Sequence, residues 1–286
     1  MVFWYFLIII ALIWIIFATI TDIKKREVPD WLNYSLIAIG LGSRLIYSFI
    51  LNNYSYILYG LIGFIIAFAI ANLMYYTKQW GGGDSKLLMG LGAMFGSYQS
   101  IEIVNSLNKL PFLATLLINI FIAGAFYGLF YCSYLGIKNK KQFLIEFKKQ
   151  NFKYLKIISL ALLLLIIPSI VLFNYPLSLI ISILLIFLLI SLFSIYIIRI
   201  IENISFYKMI DINMLTPGDW LVNDIVKNKK IICKTRNIGL TKEDILNLKK
   251  NKIKKVLIKE GIPFVPSFLL GFIISIIFGD IILMLI

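Results

Sequence analysis

The chain has 286 residues, 60% of them hydrophobic and 15% charged, with a mean hydropathy of +0.92. A water-soluble domain of this length cannot cover itself with so few polar groups, so lipid must be the solvent for much of the chain. The net charge of +14 comes with no His at all, which excludes Ser–His–Asp, Cys–His and HExxH chemistry and removes the commonest metal ligand.

A spanning helix needs roughly 20 apolar residues to cross about 30 Å of hydrocarbon. Taken in chain order, the apolar stretches are 2–20, 31–51, 55–76, 85–99, 112–135, 156–173, 177–198 and 263–286. The expected fold is an all-α polytopic membrane protein of about eight transmembrane helices, with a small cytoplasmic α/β module before the last helix. The fourth stretch is short and Gly-rich, the weakest of the set as a full span. The first lacks a basic leading region and a small-residue cleavage site, so it reads as a retained anchor. The expected division is a transmembrane catalytic core over 1–199, a basic cytoplasmic module over 200–262 and a C-terminal helix over 263–286.

Within the module, Thr216-Pro217-Gly218-Asp219 is a turn signal, and residues 229–235 read as a short strand. Thr241-Lys242-Glu243-Asp244 resembles a capping box opening a helix to about 251, followed by a strand near 255–259. The module reads as a solvated basic domain against anionic lipid, or as an element that admits or orients substrate. Cys132 and Cys233 have neither zinc-ligand spacing nor a disulfide framework.

The basic residues are distributed asymmetrically. If the eight stretches all cross, 26 of the 28 Lys and Arg fall on one side, among them Lys24, Lys25, Arg26, Lys78 and Lys86; Lys109 and Arg44 lie toward the other. The positive-inside rule makes the rich side cytoplasmic, which also accounts for the charge without nucleic acid. Both termini are then expected outside, with Asp22 and Asp84 on the cytoplasmic side.

These two aspartates are the candidate chemistry. Asp22 follows the first stretch, ahead of Val28-Pro29-Asp30, where Pro29 suits a helix start and Trp31 an interface anchor. Asp84 follows Gly81-Gly82-Gly83 and precedes Ser85-Lys86. Three glycines free the backbone and admit a close neighbour, and an Asp at a helix start meets free N–H groups. Alone, each residue has an ordinary reading: a juxtamembrane acid, and a helix N-cap. As a pair on one membrane face they supply what acid–base hydrolysis needs, one ionised carboxylate to activate water and one protonated partner. The helix dipole predicts Asp84, at a helix start, as the base and Asp22, near a helix end, as the proton holder. Lys86 after the glycines lacks P-loop spacing.

Gly81-Gly82-Gly83-Asp84-Ser85-Lys86 resembles the GxGDxK motif of the type IV prepilin and preflagellin peptidases, and Asp22 with Val28-Pro29-Asp30 resembles that family's first catalytic Asp and its following turn. The resemblance is specific over about 20–100. It implies a membrane aspartic peptidase acting at the cytoplasmic face on leader peptides of pilin-like or archaellin precursors, with Asp22 and Asp84 as the catalytic pair. Gly81, Gly83 and Lys86 would be supporting motif positions, and neither cofactor nor metal is implied. Bacterial members carry a Cys-rich zinc segment and an N-methyltransferase activity. This chain has no CxxC pair, which points to the peptidase-only archaeal type. Presenilin-like proteases share GxGD but add a Pro-Ala-Leu motif that is absent here.

Two other classes remain: an ion-coupled transporter or channel using Asp22 and Asp84 as ion or proton sites, and a non-enzymatic assembly scaffold. Asp280 is a third intramembrane acid, expected near the outer end of the last helix, solvated or capping. Asn72 and Asn119 are expected to hydrogen-bond between helices, and Gly92-x-x-x-Gly96 and Gly124-x-x-x-Gly128 to pack helices closely.

Overall fold

The computed structural model describes residues 2–97, 110–227, 230–236 and 239–281. Lys109, the far ends of the 85–99 and 263–286 stretches, and the first residue of the expected 229–235 strand lie outside the described residues. The apolar runs become helices nearly where hydropathy puts them: α1 (Val2–Lys25), α2 (Asp30–Ile50), α3 (Ser55–Tyr76), α4 (Gly82–Phe95), α5 (Phe112–Lys138), α7 (Lys153–Leu172), α8 (Leu177–Ser205) and α10 (Val265–Ile277). A short basic helix, α6 (Lys140–Lys149), and the module's α9 (Lys242–Lys250) complete the helical set among the described residues. The protein is a polytopic membrane bundle with a small β-rich module ahead of its last helix.

Among the described residues five helices, α1, α3, α5, α7 and α8, are long and apolar enough to cross a membrane, not the eight expected. The other three fall short for identifiable reasons. α2 has the length, but Asp30, Asn33, Ser43 and Arg44 dilute its apolarity. α4 has only 14 residues, about 21 Å at 1.5 Å per residue. α10 is 13 residues long as described. α4 also has nine of its residues buried, so it is solvated by protein and needs no long lipid-facing surface.

The chain divides into two units, 1–130 with 209–286, and 131–208; one boundary falls within α5 and the other at 208/209. In the first unit α4 packs against α1, α2 and α3. Its glycines allow this. An added Cβ at Gly92 would stand 2.3 Å from the Ala67 Cβ, and at Gly96 2.1 Å from the Tyr59 carbonyl oxygen, so the Gly92/Gly96 pair packs α4 on α3 as expected. The second pair is used only in part: Gly124 receives the Phe264 ring, whereas nothing lies against Gly128.

Arg44 closes the far end of α4. It is 1% exposed. Its Nε and Nη2 donate to the Met94 carbonyl at 3.1 and 2.6 Å, its Nη1 donates to the Tyr56 carbonyl at 2.9 Å, and its guanidinium lies 5.3 Å from the Trp4 ring. A helix that stops short leaves carbonyls without partners, and a cation at that end satisfies them and the dipole together.

Of the two readings of Asp280, solvated or capping, the second holds: it is buried, and it accepts the Thr115 hydroxyl proton and, at 3.3 Å, the Leu110 N–H just ahead of α5. Asn119 does bridge helices, donating to Ser275 at 3.0 Å and to the Gly279 carbonyl at 2.8 Å. Asn72 does not: its amide returns to the Phe68 carbonyl of its own helix at 2.8 Å. A side chain facing lipid satisfies itself one turn back when no neighbouring helix offers a partner.

The module holds a three-stranded sheet in the order β1 (Tyr207–Asp211), β5 (Lys255–Lys259), β2 (Trp220–Leu221), and an antiparallel hairpin of β3 (Ile225–Lys227) with β4 (Lys230–Cys233). Ile212, Leu215, Leu240, Ile245, Leu248, Val256 and Ile258 form its core. The turn at 216–219 and the Thr241–Asp244 capping box are present, with the Asp244 N–H donating to the Thr241 hydroxyl at 3.1 Å. β1, β2 and β3 carry no clear alternation and were not expected.

In the second unit, α7 packs along α8, and α6 also lies against α8. Ser169 and Ser182 meet at 3.2 Å between α7 and α8.

Candidate active site

Asp22 lies inside α1, in its last turn, because the helix runs on through Lys25. Arg26 then stops it: its φ is 58°, and its N–H returns to the Asp22 carbonyl at 2.8 Å. Asp22 is 6% exposed, and its Oδ2 accepts the Val265 N–H at 3.0 Å, with the Phe264 N–H also directed at it. These are the first donors of α10, so the acid at the end of one helix caps the start of another.

Asp84 is at the third position of α4, not at its N-cap, which is Gly81. Its Oδ2 accepts the Gly81 N–H at 2.9 Å, the carboxylate half of a capping box; Gly81 has no side chain to return the bond. None of the three glycines takes a positive φ, so the freedom expected of them is not what they supply. They supply room. A Cβ on Gly83 would stand 3.0 Å from the Val28 Cβ, and one on Gly81 3.3 Å from Asp84 Oδ2. The loop after α1 therefore lies directly on the first turn of α4, and Asn33 reaches the Gly83 carbonyl at 3.4 Å.

This packing brings Asp22 and Asp84 within electrostatic reach of each other, the charge on Asp22 acting on Asp84. Lys86 is not aimed at the pair. Its Nζ lies 2.5 Å from Asp30 Oδ1 and 5.3 Å from the centre of the Tyr34 ring, tying the start of α4 to the start of α2.

Sequence reasoning did not foresee the third wall of the site. Trp80, 3% exposed, packs on Phe121, Phe264 and Phe268 with ring centres 5.6, 5.7 and 5.3 Å away. Arg26 donates to the Gly261 carbonyl at 3.1 Å. The aromatic spacing at 264 and 268 and Pro266 at a helix start were the available signals. Among the described residues, no three His, Cys, Asp or Glu side chains cluster as a metal site.

Comparison with known proteins places this arrangement. The family model described as the type IV leader peptidase family matches residues 9–132, which includes both aspartates. A preflagellin peptidase of Methanocaldococcus jannaschii is 30% identical over 177 residues, covering 51% of this chain and 75% of the relative. The chain belongs to the type IV leader peptidase family. Preflagellin peptidases of Methanococcus maripaludis and Methanococcus voltae are 33% and 38% identical over 127 and 101 residues, 43% and 35% of this chain. The chain spans about half of these two relatives, 54% and 42% of their lengths. As a member of this family the protein is a membrane peptidase of the aspartic type.

Proposed function

We propose that Asp22 and Asp84 are the catalytic carboxylates with which this peptidase removes short leader peptides from archaellin-like or pilin-like precursors at the cytoplasmic membrane face. The observation that carries the reading is the placement of two carboxylates from α1 and α4 within electrostatic reach of each other, Asp22 accepting the Val265 N–H and Asp84 the Gly81 N–H. Two carboxyl groups this placed favour sharing a single proton, the state that activates water and polarises a carbonyl at once. The relatives named preflagellin peptidases favour archaellin-like precursors as the first substrates to try.

Gly83 acts here by admitting the Val28 loop, Gly81 by its N–H to the Asp84 carboxylate, and Lys86 by holding α2 to α4 through Asp30. The reading takes α2, α4 and α10 as crossing the membrane with the five longer helices. Asp22 ends α1 and Asp84 begins α4, so α2 and α3 between them must bring the chain back to the same face. The concentration of Lys and Arg on that face supports a cytoplasmic site and termini outside. Residues 1–199 and the last helix would form the membrane part, with 200–262 as the cytoplasmic module facing lipid and precursor.

The test is leader removal by membranes containing the full chain, with archaellin and pilin precursors assayed in parallel. Wild type is expected to shorten at least one precursor, while Asp22→Asn and Asp84→Asn each lose about 10³-fold or more with normal membrane levels. Cleavage surviving either substitution overturns the assignment. Proton or cation flux without precursor, abolished by the same substitutions, would favour a transporter.

A further inference from the structure

Asp22 is an acid in the last turn of its own helix, where the dipole disfavours negative charge. That placement predicts a proton-holding Asp22. Its surroundings say otherwise, because its carboxylate reaches across to the first N–H groups of α10, 243 residues away in sequence. We propose that the first turn of α10 is a positioning element that holds Asp22 as the ionised member of the pair, making Asp22 the general base and Asp84 the proton carrier. The proposal rests on the catalytic reading above.

Three contacts fix that turn against both arms of the site. The Val265 and Phe264 N–H groups point at Asp22, Arg26 binds the Gly261 carbonyl just before the turn, and Trp80 packs on Phe264 and Phe268 just ahead of the Asp84 motif. Phe264 is seated in turn on Gly124, where a Cβ would stand 2.6 Å from its ring. Among the described residues Asp84 accepts one N–H, that of Gly81 at its own helix start. A carboxylate that accepts a donor from the start of a second helix and has a second N–H directed at it is favoured as the anion over one that accepts a single donor from its own helix.

The charged groups around Asp22 agree. From its own element come Lys24, Lys25 and Arg26, of which Arg26 acts on it. α4 contributes Asp84, and Lys86 of α4 is spent on Asp30 of α2. The start of α10, 264–268, brings no charged side chain. One negative neighbour and one positive neighbour leave the backbone donors to decide.

The reaction then balances. Asp22 takes a proton from water as the water oxygen bonds the scissile carbonyl carbon, and Asp84 gives its proton to the carbonyl oxygen. Asp22 next passes its proton to the amide nitrogen, the C–N bond breaks with its electron pair going to nitrogen, and Asp84 recovers a proton from the resulting acid. Both groups return to their starting states.

The test is made in the full-length protein in membranes. An ester replaces the amide at residue 265 by introducing α-hydroxyisovaleric acid at a suppressed stop codon, which deletes the N–H and keeps the side chain. A second variant places the corresponding ester at Phe264, and a control places one at Leu269 in the same helix. The acid limb of kcat/KM for leader cleavage reports Asp22, so losing a donor to its anion is expected to move that limb up by about one pH unit. The Phe264 ester moves it in the same direction, the alkaline limb stays, and the Leu269 ester moves neither. A purely structural role would lower rates without moving the limb. An acid limb unmoved or shifted down in both active-site esters overturns the proposal, and so does loss of cleavage at every pH in both. A wild type that does not cleave, or an active Asp22→Asn, would instead remove the catalytic reading itself.

Discussion

At the scale of single residues, the buried polar groups outside the pair are structural, and their partners say how. Arg44 is exposed to nothing but carbonyls and the Trp4 ring. Replacing it with Leu strands the Met94 carbonyl at the end of α4 in an apolar surround, so Arg44→Leu is expected to cost about 2–4 kcal/mol. A thermal melt in detergent checks this, and Arg44→Lys, which keeps one donor but not the fork, should fall between. Asp280 belongs to the same class. It lies with Thr115 and Leu110 at the start of α5, whereas the aspartate pair lies at the start of α4. Asp280→Asn should therefore lower the melting temperature while leaving leader cleavage per folded molecule unchanged. A selective loss of cleavage would contradict that.

At the scale of elements, α4 depends on close approach more than on its own apolarity. Its 14 residues carry Asp84 at one end and rest on α3 through Gly92 and Gly96. Gly92→Leu would place a side chain where the Ala67 Cβ and Gly63 carbonyl already stand, at 2.3 and 2.5 Å from the new Cβ. Overpacking of this kind costs about 1–3 kcal/mol or more, and here it displaces the helix that positions Asp84. The expected result is less folded protein and, in what remains, slower cleavage. In the module, the start of α9 is set by Asp244. Burial works to raise its carboxyl, but the N–H and hydroxyl of Thr241, together with Arg236, outweigh burial and hold it below the ordinary value. An acid held low in the fold stabilises it at pH values above the unfolded pKa, near 3.9, and loses that contribution as pH falls through its folded value. Amide protection of α9 should thus weaken below about pH 4, and Asp244→Asn should remove this acid dependence, as hydrogen exchange can show. Gly239 is the module's strictest position: its φ is +75°, and a Cβ there would stand 2.3 Å from the Gly218 carbonyl. Gly239→Val should unfold the 216–241 turn region.

At the scale of the whole molecule, the testable quantity is topology. With Cys132 and Cys233 replaced by Ala, single Lys25→Cys and Lys78→Cys proteins should label from the cytoplasmic side and Asn53→Cys from the outside. Labelling of positions 25 and 78 from opposite sides would separate the aspartates and end the catalytic reading. Helix positions were legible in the sequence because hydropathy is a property of ten to twenty neighbouring residues, and α3 begins and ends where its apolar run does. The number of long apolar spans was not, since α2, α4 and α10 are solvated in part by other helices and need not look like lipid-facing ones. The module was half legible: its capping box and last strand have local signatures, whereas β1 and β2 pair with β5 from far along the chain and β3 is only 3 residues long.

The sequence by itself determined that the protein lives in a membrane, that His chemistry is closed to it, and that two aspartates with their flanking glycines are its reactive candidates. These are statements of composition and of short motifs, set by transfer of side chains into lipid and by which groups can exchange protons. Only the tertiary structure decided what surrounds each acid. Asp22 looked like a carboxylate at the wrong end of a helix until α10 was seen to offer it the Val265 N–H. Arg44 was legible only as a basic residue toward the less basic face, and the structure shows the short α4 ending against it. Hydrogen-bond partners supplied by distant helices leave no periodic trace in a chain, because they depend on where those helices end and not on what either segment is made of.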